Sequence, residues 1–210
     1  MTELTRTDHS RIRRHPERGS YDRAEAYAVL DEALVAHVGF VHDGRPFVLP
    51  MVYARVGDAL YFHGAVASRL LQGLASGVPA CATVTLVDGL VLARAAFYHS
   101  MNYRSVVVMG TATLVPAEAK AAVFAAFVDK LEPGRAALVR APSPQETAAT
   151  ALVALPIAEA SLKRRSGGPM DREDEPPRAV WTGVVPLALT PSTPQPEPPR
   201  PAAGARPTTG

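Results

Sequence analysis

The chain predicts a small β-barrel with peripheral helices, on three observations. Six or seven short β-prone runs are separated by turn dipeptides, and three amphipathic segments carry helix start and stop signals. In addition, 20 prolines and 15 glycines among 210 residues break the apolar side chains into short stretches. Barrel closure removes the exposed edges that such a meander would leave. The length suits one domain, and no internal repeat of solenoid period recurs.

Taken in order, residues 1–21 mix arginines with acids and lack hydrophobic periodicity. They are expected to form a polar surface arm that orders only against a partner surface. Asp22 and Glu25 make a cap-like pair ahead of Tyr27, Leu30, Leu34 and Val38, which predicts a helix over roughly 22–36. Residues 39–42, 47–56 and 59–63 read as strands joined by Asp43-Gly44 and Gly57-Asp58, dipeptides that tolerate positive φ. Ser68 before RLLQGLAS, with Gly77 after it, bounds a short helix. Residues 80–87, a turn at Asp88-Gly89, then 90–98 and 105–115 continue the strands. Pro116 opens a long helix whose Val123, Phe124, Phe127, Val128 and Leu131 form one stripe, ending before Pro133-Gly134. Ser143, Pro144 and Glu146 start a third helix. Residues 152–163 and 180–189 read as the last strands. The folded domain is 22–189, and the Pro-rich run 190–210 is expected to be a disordered tail.

Composition removes several function classes. With 22 basic and 20 acidic side chains the net charge is +2, too little field to hold a polyanion, so no nucleic-acid partner is expected. Cys81 is the sole cysteine, which excludes an intrachain disulfide and a cysteine zinc site and makes the cytoplasm the expected location. The chain lacks the long apolar run of a membrane span. His9, His15, His37, His42, His63 and His99 show no HxH, HxxxH or HExxH spacing, so no metal-ligand set is expected. Neither a GxSxG elbow nor a GxxxxGK[ST] or GxGxxG phosphate loop is present.

Two segments carry candidate chemistry. In LYFHGAVASRLLQGL a strand ends at His63, small residues follow, and Ser68 with Arg69 stands where a helix begins, so a hydroxyl, free N–H groups and a guanidinium converge on one anion-sized spot. An ordinary N-cap beside a solvated arginine reads the same residues. The segment FYHSMNYRSVVVMG packs His99, Ser100, Asn102, Tyr103, Arg104 and Ser105 ahead of an apolar strand, either as a ligand-binding mouth or as polar turn residues entering a strand. Trp181, the only tryptophan, reads on size alone as core.

The motifs RHPERGSYD, LYFHGA with SRLLQ, HSMNYRSVVVMG, KRRSGGP and AVWTGVVPL, in this order over about 11–189, resemble the pyridoxamine 5'-phosphate oxidase-like family of FMN-binding split barrels. The branch most similar includes the nitroimidazole-resistance proteins. The resemblance implies a homodimeric split β-barrel holding FMN between subunits. It places the FMN phosphate near Ser68 and Arg69, with Ser100, Asn102, Tyr103 and Arg104 adding contacts. It lays the flavin along Met51, Val52 and Tyr53 and beside His63, and brings Trp181 from the partner subunit. His63 is then the catalytic candidate, as a proton donor or as a hydrogen-bond partner of the flavin. The implied activity passes electrons from a nicotinamide nucleotide, NAD(P)H, through the flavin to a small organic acceptor such as a nitro compound. A non-catalytic flavin-binding protein, or a haem- or F420-binding split barrel, is the alternative. One departure counts against vitamin B6 oxidation: the last strand, VVPLALTP, lacks the Arg- and His-bearing end of the oxidases proper.

Overall fold

The computed structural model describes residues 3–197. Its elements are β1 (Gly19–Ser20), α1 (Arg23–Glu32), β2 (Val35–His42), β3 (Arg45–Val52), β4 (Ala54–Val56), β5 (Ala59–Ala65), α2 (Arg69–Ala75), β6 (Pro79–Leu92), β7 (Ser100–Thr111), β8 (Thr113–Leu114), α3 (Lys120–Leu131), α4 (Pro144–Ala149), β9 (Thr150–Pro156), β10 (Glu159–Arg165) and β11 (Gly183–Pro186). One antiparallel sheet runs β1-β10-β7-β6-β2-β3, with β11 paired to β6, and a second runs β4-β5-β9-β8. This is a split β-barrel with peripheral helices.

The barrel closes because three stretches of chain leave one sheet and enter the other: β3 into β4, β7 into β8, and β9 into β10. A strand that turns such a corner points its corner residue at the core. Accordingly Tyr53, Ala112 and Ile157, one at each corner, are all buried. The continuous run 152–163 read from sequence is therefore two strands in two sheets, because Ile157 gives its amide to the Asp58 carbonyl and breaks the pairing there.

Helices plug and cover the barrel. Leu70, Leu71 and Leu74 of α2 are buried, and full burial of a leucine contributes about 1.5 to 3 kcal/mol before ordering costs. Gly73 sits mid-helix because a Cβ there would come 3.0 Å from the Phe40 ring. On the outer face of the smaller sheet, α3 buries Val123 and Phe127 against Ala54, Val115 and Leu152. Its predicted stripe is wider than its buried face, since Leu131 stays exposed.

Three further expectations are revised. The first helix stops at Glu32 and β2 begins at Val35, so Val38 is buried from a strand. Asp88-Gly89 is a bulge inside the single strand β6, because β7 pairs across it on both sides. The amino-terminal arm docks on its own barrel: Leu4 is buried, Thr5 donates to the Ala158 carbonyl at 2.8 Å, and β1 pairs with β10. Its isolated leucine gave no periodicity to read. Of the expected tail, Thr190 to Glu197 carry neither helix nor strand, and 198–210 lie outside the described residues. No helix among the described residues is long and apolar enough to cross a membrane.

Candidate functional site

Ser68 caps α2 by backbone geometry, yet its hydroxyl makes no capping hydrogen bond, which leaves it free to take a ligand. Arg69 is exposed, enters no ion pair among the described residues, and lies 5.5 Å over the Phe47 ring. A guanidinium held on an aromatic face with its fork in solvent is preorganised for a carboxylate or phosphate.

Strand alternation decides what the Met51-Val52-Tyr53 segment can offer. Met51 packs on the core and Tyr53 is fully buried, its hydroxyl donating to the Leu30 carbonyl with Lys130 Nζ 4.4 Å from its ring. Burial pushes the Tyr53 phenol well above its usual pKa and the Lys130 ammonium below its own. Only Val52, exposed, turns outward. Tyr53 thus spends its side chain on the core and Met51 is half-buried against it, which leaves Val52 as the exposed side chain of the three. Ala54 pairs with Tyr61 just past the corner, with the Tyr53 and Phe62 rings 6.3 Å apart, while Val52 itself pairs with Val35 in the other sheet.

His63 itself stands against α3, with Phe127 edge-on at 4.5 Å between ring centroids and Phe124 at 6.3 Å. Its Nδ1 is buried and has no hydrogen-bond partner among the described residues. A buried polar atom left unpaired costs about 1 to 3 kcal/mol, a cost that a partner for this nitrogen would offset. Burial also pushes the imidazole pKa below its usual value, which favours the neutral ring. The ring lines a cavity of about 460 Å³ with Phe124, Arg140, Pro142, Glu146 and Thr150.

The second predicted cluster is not brought to this place. Phe47, under Arg69, lies in a row that runs through Phe40 and Ala80 to Gly110. Arg104 is six residues further along β7 and three strands across, roughly 20 Å along and ~14 Å over. It is also engaged, bridging Glu32 at 2.9 Å and Asp88 at 2.7 Å, and both carboxylates hold its guanidinium above the usual pKa. Asn102 is buried and spans Arg165 Nη1 and the Gly167 carbonyl. These two residues brace their own chain, so within one protomer they make no phosphate contact alongside Arg69. Ser100 is exposed and Tyr103 half-buried on the same strand. Trp181 is 62% exposed, against the core reading, with its indole laid over Gly183.

Sequence reasoning missed Phe124, Phe127 and Arg140 as neighbours of His63. The helical stripe was visible, but only the topology shows that α3 covers β5 and that the segment before α4 closes over it. Among the described residues no group of three or more His, Cys, Asp or Glu forms a metal cluster.

The family model described as Pyridoxamine 5'-phosphate oxidase matches residues 22–164. Comparison with curated protein sequences finds no match. Among solved structures, the flavocytochrome Anf3 from Azotobacter vinelandii is 38% identical over 96% of this chain and 94% of its own, with a TM-score of 0.86. The FAD and heme binding protein from Mycobacterium smegmatis is 37% identical over 91% of this chain and 94% of its own, with a TM-score of 0.84. A putative 5-nitroimidazole antibiotic resistance protein from Bacteroides thetaiotaomicron shares the fold at 19% identity, over 69% of this chain and 85% of its own, with a TM-score of 0.58. With the split barrel in place and the family model matched over residues 22–164, the chain belongs to the pyridoxamine 5'-phosphate oxidase family.

Proposed function

We propose that the protein is a flavohaem oxidoreductase, binding a flavin, FAD, at Ser68, Arg69 and the outer edge of β3, and a haem at His63. The observation that carries this reading is the His63 imidazole, one ring nitrogen of which has no hydrogen-bond partner among the described residues, lining a cavity with Phe124 and the Arg140–Glu146 pair. The flavocytochrome and the FAD and heme binding protein, each more than a third identical over nearly the whole chain, support it. The FMN expected from sequence and FAD share the phosphate next to the ribityl chain, so Ser68 and Arg69 serve either.

The residues fit both groups. Ser68 and Arg69 offer one hydroxyl and one cation that enters no ion pair among the described residues, a set that suits a phosphate. His63 offers an imidazole fixed edge-on by Phe127, and a fixed ring is what axial ligation of iron requires. When bound, the flavin supplies two-electron uptake from NAD(P)H and the haem iron one-electron delivery to an acceptor. The chain contributes position and dryness: Val52 offers exposed apolar surface on β3, while Phe124 and Phe127 stand against the His63 ring and exclude water from it.

A second copy completes the site in this reading. Val35, Val41, Val48 and Val52 stand exposed on β2 and β3, and Leu90, Phe97, Met101 and Trp181 at the far end, apolar side chains that a second copy would cover. Two copies facing each other would bring one chain's Tyr103 and Trp181 end to the other's Arg69 end, which one chain keeps apart.

The test is spectroscopic. Full-length protein supplied with haem and flavin is expected to be a dimer by sedimentation, to show a Soret band and flavin absorbance together, to release FAD on denaturation, and to be reduced by NAD(P)H without air. Protein that takes up neither group overturns the reading. Protein that takes up both but resists NAD(P)H is a binder and not an oxidoreductase.

A further inference from the structure

We infer that Arg140 grips a carboxylate of the ligand in the His63 cavity, and that Glu146 occupies the same fork until that ligand arrives. The inference rests on the haem reading above and adds the residue that orients the group. The cavity has two unlike ends. Phe124 and the His63 ring, held by Phe127, line one part of it with Thr150, and Pro142 and the solvent-exposed Arg140 and Glu146 line the rest. A flat apolar body with carboxylates on one edge, as in a haem with its two propionates, matches that division.

Arg140 presents both terminal nitrogens to Glu146, each at 2.7 Å, in the bidentate geometry a guanidinium makes with any carboxylate. Both side chains are largely exposed, at 72% and 51%, so their mutual attraction is weak and readily exchanged. Glu146 is not stranded by the exchange. Its carboxylate also accepts the Ser143 amide at 2.7 Å as half of a capping box, and the Ser143 hydroxyl in turn accepts the Glu146 amide. Arg140, by contrast, keeps only the neighbouring Ala141 carbonyl at 3.1 Å. Glu146 is thus a carboxylate of the chain standing in for the ligand's own, anchored so that it can let go.

The substitution that isolates this is Glu146→Gln, because glutamine preserves the capping box while removing the charge that competes for Arg140. In titrations of the full chain with ferric haem, followed by the Soret band, Glu146→Gln is expected to tighten binding several-fold. Arg140→Gln is expected to weaken it about tenfold, the value of one charge-assisted contact at an open mouth. Haem dimethyl ester, which lacks free carboxylates, separates a contact from a structural effect. Wild type is expected to prefer haem over the ester about tenfold, and Arg140→Gln to bind the two alike. An Arg140→Gln protein that keeps the wild-type preference, while His63→Ala abolishes the haem spectrum, overturns this inference alone. A His63→Ala protein with unchanged haem binding overturns it together with the reading beneath it.

Discussion

Removing the Arg69 side chain separates flavin binding from folding more cleanly than any other change in the molecule. Arg69→Ala deletes an exposed guanidinium with no ion-pair partner among the described residues and one aromatic contact, Phe47 at 5.5 Å. A cation over an aromatic ring at an exposed position contributes about 0.5 to 1 kcal/mol, which in a chain of this size corresponds to a fall of roughly 1 to 4 °C in Tm. The loss to a bound phosphate is larger. A charge-assisted contact contributes about 1.5 to 3 kcal/mol, and a solvent-open fork making two of them is taken at about 2 to 3 kcal/mol in total, or roughly 30- to 160-fold in Kd. Flavin titration by fluorescence quenching, with thermal melting of the cofactor-free protein beside it, reads both numbers. A variant that melts within a few degrees of wild type and holds flavin with unchanged Kd would refute the assignment of the phosphate to Arg69.

Other consequences follow from the same geometry. The Arg104 guanidinium hydrogen-bonded to Glu32 holds that carboxyl below the usual carboxylate range, so the pair's contribution is complete above the unfolded carboxylate pKa and is lost as pH falls through the folded value. Denaturant midpoints measured from neutral pH downward are expected to fall less steeply in Glu32→Gln than in wild type, and identical acid slopes would count against the link. Val52→Asp puts a charge on the outward face of β3 and is expected to weaken flavin binding at least tenfold. Met51→Leu on the inward face should leave flavin Kd within about twofold and cost less than ~1.5 kcal/mol. Equal effects from the two would refute the alternation. A Cβ at Gly89 would meet the Val184 side chain at 2.9 Å and the Val185 carbonyl at 3.0 Å, so Gly89→Ala is expected to cost about 1 to 3 kcal/mol and to speed amide exchange in β11 first. Unchanged protection in β11 would show that the strand accommodates the methyl.

What was legible in the chain follows the range of the interactions concerned. The caps at Asp22 and Ser143 are local, made between residues three apart, and both form as read, with Asp22 accepting from the Glu25 amide and Ser143 completing its box with Glu146. The Asp43-Gly44 turn is equally local, and both residues take positive φ. Failures begin where a distant partner decides. Asp88-Gly89 has the composition of a turn, yet β7 runs alongside and pairs on both sides of it, so the dipeptide bulges within a strand. Ile157 interrupts an apolar run because a carbonyl from the β4–β5 turn takes its amide. The candidate site divides the same way. Ser68 and Arg69 are adjacent in sequence and remain together in space. Arg104 looked equally free from its neighbours, and Glu32 and Asp88, far from it in sequence, engage it fully. His63 was singled out, but its aromatic setting on α3 and the Arg140 beside its cavity come from segments some 60 to 80 residues later that no spacing rule connects to it.

The haem-ligand role proposed for His63 is tested most directly by the absorbance spectrum of His63→Ala beside wild type, each loaded with haem and flavin and assayed for released flavin. Loss of the ligated Soret band with flavin still bound at wild-type stoichiometry is the predicted result. A Soret band of unchanged position, intensity and affinity in the variant would contradict it, because the iron would then be held elsewhere.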